Sequence, residues 1–212
     1  MRLLAIDTSA RLCAASVWDT DAGERARHVL DLGKGHAEHL MGAVETALRE
    51  AGCGFADLGA VAVSVGPGSF TGVRVGVAAA RGLALALGIP AVGVSTLEAL
   101  AHEARAAHPG RPVIARIEAG RGQAYLAGFS SDGEATFGPV ALDLTAAAEI
   151  VGKDGEEAVI ATGTTADIAT YARIGADRLV AGGTVERPKP LYLRDADAKP
   201  QDAFALPRKA GA

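Results

Sequence analysis

Along the chain the hydrophobic pattern switches from period two to a helical period, and then does so again. Residues 3–7 and 12–18 read as strands joined by the polar turn Thr8-Ser9-Ala10-Arg11, and residues 25–32 alternate as a third strand. Residues 36–51 then read as a helix. Leu40, Met41, Val44, Leu48 and Ala51 form one apolar stripe, Glu38, Glu45 and Arg49 lie opposite, and Gly52 ends it. An apolar strand at 60–65 runs into a glycine-rich loop, a helix over 70–87 and a buried strand at 91–94. Ser95 is placed as the N-cap of a further helix, with Glu98 closing a capping box. After the linker-like His108-Pro109-Gly110-Arg111-Pro112, residues 113–118, 123–130 and 135–142 predict a three-stranded meander. A short helix at 145–151 and a strand at 158–162 follow, and from Arg187 the periodicity is lost.

Strand pairs followed by helices, twice over and reduced in the second copy, predict an α/β protein of two related lobes. The expected units are residues 1–107, an abridged second lobe at 108–186, and a Pro- and Lys-rich tail at 187–212. That tail carries six Lys or Arg against three Asp and reads as a solvated arm. The chain has 212 residues, 4% aromatics and a net charge of −4. Its core must therefore be built from Leu, Val, Ile and Ala, and no global basic field would attract nucleic acid. No apolar stretch is read as long and charge-free enough to span a bilayer, and the start lacks a signal-peptide pattern. Cys13 and Cys53 lie in unrelated segments and read as free thiols, so the expectation is a cytoplasmic protein without a membrane partner.

The glycine loop fails three tests of known chemistry. A P-loop needs Gly-Lys-Ser/Thr, whereas this loop ends Phe70-Thr71-Gly72. A dinucleotide fingerprint needs a third glycine where Thr71 stands. A nucleophile elbow needs glycines two residues either side of the serine, and Ser69 has Pro67 and Thr71 there. The helix that follows is more informative. Its only charges are Arg74 and Arg81. Gly72, Gly76, Ala79 and Leu83 share one face, assigned to the sheet because glycine in a helix marks close backbone approach. Arg74, Ala78, Arg81 and Leu85 occupy the opposite face, flanked by Phe70 and Val77. Arginine among apolar residues is typical of protein interfaces, and on periodicity alone a helix buried by this chain's own second lobe fits nearly as well.

His36 and His39 lie three apart on a helix but have no third metal ligand beside them. Asp7, Thr8 and Ser9 at a strand end, with Gly68 and Ser69, are the candidate phosphate or nucleotide contacts, and Asp7 equally suits a turn-capping role. No complete catalytic set can be assembled.

Three segments together carry a resemblance: Ile6-Asp7-Thr8-Ser9, the run from Ser64 to Gly76 (SVGPGSFTGVRVG), and Gly93-Val94-Ser95-Thr96-Leu97-Glu98. They resemble the TsaB (formerly YeaZ) family of the bacterial machinery that forms threonylcarbamoyladenosine in tRNA. Pro190-Leu191-Tyr192-Leu193-Arg194 with Asp197-Ala198-Lys199 is similar to the family's ending. The resemblance implies an actin/Hsp70-like (ASKHA) fold and a non-catalytic scaffold role. It further implies pairing with the catalytic paralogue TsaD, which modifies the adenosine next to the anticodon, and with the ATPase TsaE. In TsaD two histidines bind metal, and Thr96 and Leu100 stand at the similar places here, which implies no bound metal and no activity of the chain by itself. ATP or ADP is expected only in the complex and tRNA only through it, with a homodimer when the partner is absent. The family's pairing surface implies Leu40, Val44, Phe70, Arg74, Val77, Ala78, Arg81 and Leu85 as interface residues. At the second-lobe hairpin the chain has Glu118-Ala119-Gly120-Arg121 and Gln123, which departs from the family's pattern. The alternatives are a stand-alone ASKHA phosphotransferase using Asp7 and the glycine loop around ATP, and a metallopeptidase.

Overall fold

The computed structural model describes residues 1–154, 157–182 and 186–193. Strands β1 (Arg2–Asp7), β2 (Leu12–Asp19) and β3 (Gly23–Asp31) form an antiparallel meander, followed by helix α1 (His36–Glu50). Strand β4 (Leu58–Ser64), helix α2 (Phe70–Leu87) and strand β5 (Ala91–Val94) complete a sheet of order β3-β2-β1-β4-β5. Helix α3 (Thr96–Ala107) leads to β6 (Val113–Gly120), β7 (Gln123–Phe129) and β8 (Ala135–Asp143). After helix α4 (Leu144–Asp154), strand β9 (Val159–Thr162) pairs parallel to β6, giving the order β8-β7-β6-β9. The two sheets share one plan, a meander whose first strand takes a parallel neighbour on its free side. The second lacks the fifth strand, so the two-lobed ASKHA expectation with an abridged second lobe is met.

Period-two burial decides what each face of the first sheet covers. Leu4, Ile6, Val61 and Val63 point towards α1 and α2. Leu3, Ala5, Ala60 and Ala62 point the other way, into a second cluster shared with α3 and a fifth helix, α5 (Ile168–Val180). The sequence reading missed α5, although Ile168, Tyr171, Ala172, Gly175 and Leu179 recur at helical spacing. It packs on β1, β2, β4 and β5 of the first sheet, while α3 packs on β6, β7 and β9 of the second. Gly175 permits this approach, since a Cβ there would lie 2.7 Å from the Ala62 Cβ. Each sheet is thus covered by a helix from the other half of the chain, and one hydrophobic cluster runs across residue 107.

Two local expectations need correction. Ser95 makes no side-chain cap bond, and Glu98 instead pairs with Arg178 of α5 at 2.5 Å. Helix α2 is also long and apolar enough, by length and composition, to cross a membrane, contrary to the sequence reading. Six of its residues, Gly72, Val73, Gly76, Val77, Ala80 and Ala84, are buried inside this chain.

Candidate functional site

The end of β1 meets the start of α2 through backbone. The Ser69 amide donates to the Ser9 carbonyl (2.6 Å), and the Thr8 hydroxyl donates to the Gly72 carbonyl (2.7 Å). A Cβ on Gly68 or Gly72 would overlap the Ser9 or Thr8 carbonyl oxygen, which is why the loop needs glycine there. Ser69 caps α2 by accepting from the Gly72 amide (3.2 Å). The loop is therefore a docking joint between two elements.

Asp7, Thr8 and Ser9, the candidate phosphate contacts, are almost wholly buried. Asp7 accepts from the Ser9 amide (2.9 Å) and from the Thr165 hydroxyl (2.5 Å), and Thr165 in turn bonds Tyr171 (2.8 Å). Burial, then the Asp7 carboxylate, push the Tyr171 phenol well above its ordinary range. Ser64 and Thr96 add a further buried hydroxyl pair at 3.3 Å. Only Gly68 and Ser69 of the five candidates are exposed, and the Ser9 hydroxyl is buried without a hydrogen-bond partner. The sequence reading missed Thr165 and Tyr171, because nothing local places residues 158 and 164 positions away against Asp7. The periodicity of α5 was the signal available for Tyr171.

Thr96 and Leu100, at the places of the TsaD histidines, are buried, and Leu100 packs against Gly163. No group of three or more His, Cys, Asp or Glu able to hold a metal occurs among the described residues. The buried imidazole of His36 sits at the start of α1, while His39 is exposed. A second polar joint links the halves. Arg27 of β3 bonds Glu24 and Asp167, and Glu103 of α3 accepts from the Asp167 amide (2.7 Å) and the Thr170 hydroxyl (2.8 Å).

The outward face of α2 is the other candidate. Arg74, Ala78, Arg81 and Leu85 are exposed, Leu85 at 77%, and Phe70 is 56% exposed. Leu40, Val44 and Val77 were expected on the same surface and are instead buried in this chain's own core. The reason is a small rotation. The helix turns Val73, Val77, Ala80 and Ala84 inward with the glycines, leaving Ala79 and Leu83 only half-buried at the edge. On the neighbouring α1, Met41 is exposed in place of Leu40 and Val44.

Residues 186–193 return to this face, a feature the sequence reading took for a solvated arm. Tyr192 accepts a hydrogen bond from Arg74 Nε (2.7 Å), and the Arg74 guanidinium lies 3.7 Å from the centroid of Phe70. The two rings are 5.5 Å apart. The Leu191 amide donates to the Val65 carbonyl (2.8 Å), anchoring the segment beside β4. The rest of the tail, including Arg194, Asp197 and Lys199, lies outside the described residues.

Comparisons with known proteins agree with this architecture. Residues 31–185 match the family model described as TsaD, tRNA N6-adenosine threonylcarbamoyltransferase. An uncharacterized protein of Mycobacterium tuberculosis is 35% identical over 93% of this chain and 94% of its own length. The TsaB protein of Escherichia coli, named for tRNA threonylcarbamoyladenosine biosynthesis, is 37% identical over 62% of this chain. Among solved structures, YeaZ from Pseudomonas aeruginosa superposes with a TM-score of 0.74 at 26% identity, covering 91% of this chain and 99% of that one. The chain belongs to the TsaB/YeaZ family. The matched segment spans 56% of the E. coli protein and 52% of the Haemophilus influenzae TsaB. As a TsaB-type chain it shares the two-lobed plan, and the sealed β1 turn and the open α2 face are the features that bear on its role.

Proposed function

We propose that this chain is a non-catalytic scaffold subunit in tRNA threonylcarbamoyladenosine formation, pairing with and activating a TsaD-type catalytic paralogue. The observation that carries this reading is the state of Asp7. A phosphotransferase of this fold would present its acid to nucleotide, whereas here both carboxylate oxygens are used inside the chain. The exposed α2 face, with arginines set among Phe70, Ala78 and Leu85, supplies the complementary feature of a docking helix. In this reading nucleotide and tRNA are handled by the assembled complex, with a TsaE-type ATPase as the third member, and the chain pairs with itself when the paralogue is absent. The proposed site of action is the cytoplasm.

The test is reconstitution with the paralogue and ATPase of the same cell. Threonylcarbamoyl transfer to tRNA is measured for each component alone and for the mixture. The expected result is no transfer by this chain alone and a large gain when it is added to the others. Transfer or stoichiometric ATP turnover by the isolated chain would overturn the reading.

A further inference from the structure

We propose that the cleft at the C-terminal end of α2 is a carboxylate-binding site, in which Arg81 and Arg187 hold an acidic group carried on an apolar segment of a partner protein. The cleft has a volume of about 340 Å³, with Leu85, Ile89 and Pro90 among its walls and the two arginines at its rim. Arg81 comes from α2, and Arg187 is delivered from the far end of the sequence. That delivery is fixed by the residues that follow it. Pro188 is buried against Gly93, where a Cβ would lie 3.3 Å from the proline Cβ, and Leu191 and Tyr192 are tied to Val65 and Arg74. Neither Arg81 nor Arg187 forms an ion pair with any described residue, whereas Arg11, Arg27 and Arg178 each do. Two guanidinium groups facing one cleft repel each other unless an anion lies between them.

Charge sets the polarity of the whole surface. The sequence contains no Asp or Glu between Asp57 and Glu98, in a chain whose net charge is −4. The walls contributed by α2 and β5 thus carry no acid of their own, and Glu186, the chain neighbour of Arg187, is not ion-paired with either arginine. The class of anion follows from the walls. The cleft adjoins the C-terminal turn of α2, where the negative helix dipole opposes any anion and a dianion more than a monoanion, so the two arginines must supply the attraction. A single carboxylate, held in the planar fork of arginine with its apolar stem against Leu85 and Ile89, suits both constraints. The proposed occupant is therefore a protein segment with an acidic side chain or terminus, and the site extends the α2 face towards the last described residues. The inference rests on the pairing role proposed above.

The experiment measures the Kd of the full-length chain for its own TsaD-type paralogue at two salt concentrations. The proteins compared are wild type, Arg81→Glu, Arg187→Glu and Ala78→Glu. Each arginine reversal is expected to weaken binding about tenfold or more and to flatten its salt dependence, with thermal melts unchanged because both side chains are exposed. Wild-type affinity and salt dependence in both arginine variants, with Ala78→Glu still disruptive, would overturn the carboxylate site and leave the pairing role standing. No binding by wild type would overturn both. Titration with inorganic phosphate and with tRNA completes the test. Arginine-dependent binding of either, with pairing unaffected, would overturn the proposal in favour of a phosphate site.

Discussion

Two glycines six residues apart on α2 should respond to alanine in opposite directions. At Gly76 a Cβ would lie 2.6 Å from the Thr8 hydroxyl oxygen and 3.5 Å from Val63 Cγ2. At Gly82 nothing lies within 4 Å. Alanine gains roughly 1 kcal/mol over glycine in a helix interior, and Gly82→Ala should realise that gain. At Gly76 the Thr8 hydroxyl must retreat by about 0.7 Å to reach ordinary contact, and it is the donor of the 2.7 Å bond to the Gly72 carbonyl. Moving it overpacks the joint, at roughly 1–3 kcal/mol, and weakens a buried hydrogen bond worth roughly 1 kcal/mol. After the helix gain is subtracted, Gly76→Ala should destabilise by about 1–3 kcal/mol. With roughly 2–4 °C per kcal/mol for a chain of this size, its Tm should fall by about 2–12 °C, while that of Gly82→Ala rises by about 2–4 °C. Thermal melts of both variants at one protein concentration read the difference. Equal shifts of the same sign would refute the assignment of Gly76 to the sheet-facing side.

Three other outcomes follow from the same geometry. Ala78→Glu should leave the melt unchanged and weaken pairing about a hundredfold, as a glutamate desolvated at a packed contact costs about 3 kcal/mol, and sedimentation of the mixed subunits checks it. Asp7→Asn should lower stability by roughly 1–3 kcal/mol because one of the two bonds to Ser9 and Thr165 is lost. An unchanged urea midpoint would refute the structural role of that carboxylate. The Cys13 thiol is pushed up to about 11 by burial and then by Asp7, so the folded chain holds its proton more tightly than the unfolded one. Its stabilisation should be full below pH 9 and fade as pH climbs towards 11, and urea melts of wild type and Cys13→Ala across that window should show the variant with the shallower decline.

Much of the architecture was legible because the period of the hydrophobic pattern changes sharply at each boundary. Phe70–Leu87 and Ala91–Val94 were read with their observed limits, since Ser69 caps one end of α2 and Gly88, at φ 68°, closes the other. What failed was information held between distant residues. Burial of Leu40, Val44 and Val77 depends on how far α1 and α2 rotate on the sheet, and a hundred-degree step fixes a helix's faces but not which one is covered. Residues 186–193 carry no periodicity, and only the contacts of Tyr192 with Arg74 and of Leu191 with Val65 show that they form part of the α2 surface. Of the five candidate phosphate contacts, the signal that grouped Asp7, Thr8 and Ser9 with Gly68 and Ser69 was sound as proximity. It left the chemistry open between a ligand contact and a turn cap, because a strand-end acid that closes a joint and one that meets a ligand look alike in sequence.

The exchange of covering helices gives the sealed joint its consequence. α5 lies on the first sheet and α3 on the second, and they pack on each other, so any opening of one lobe against the other must shear that contact. Three polar contacts also cross the same seam. Thr165 from the loop after β9 reaches Asp7 of β1, Asp167 reaches Arg27 of β3, and Glu98 of α3 holds Arg178 of α5. Parting the lobes would leave the Asp7 carboxylate without its second donor in a region where it is almost fully buried, a cost of several kcal/mol unless water or ligand replaced it. A two-lobed enzyme that binds nucleotide in its cleft gains from a cheap hinge. A subunit whose work is to present one helical face gains from the reverse, because a rigid body loses less entropy when its partner docks. The seam fixes the sheet on which α2 lies, and the bonds of Thr8 and Ser9 to Gly72 and Ser69 hold the helix and its arginines to that sheet.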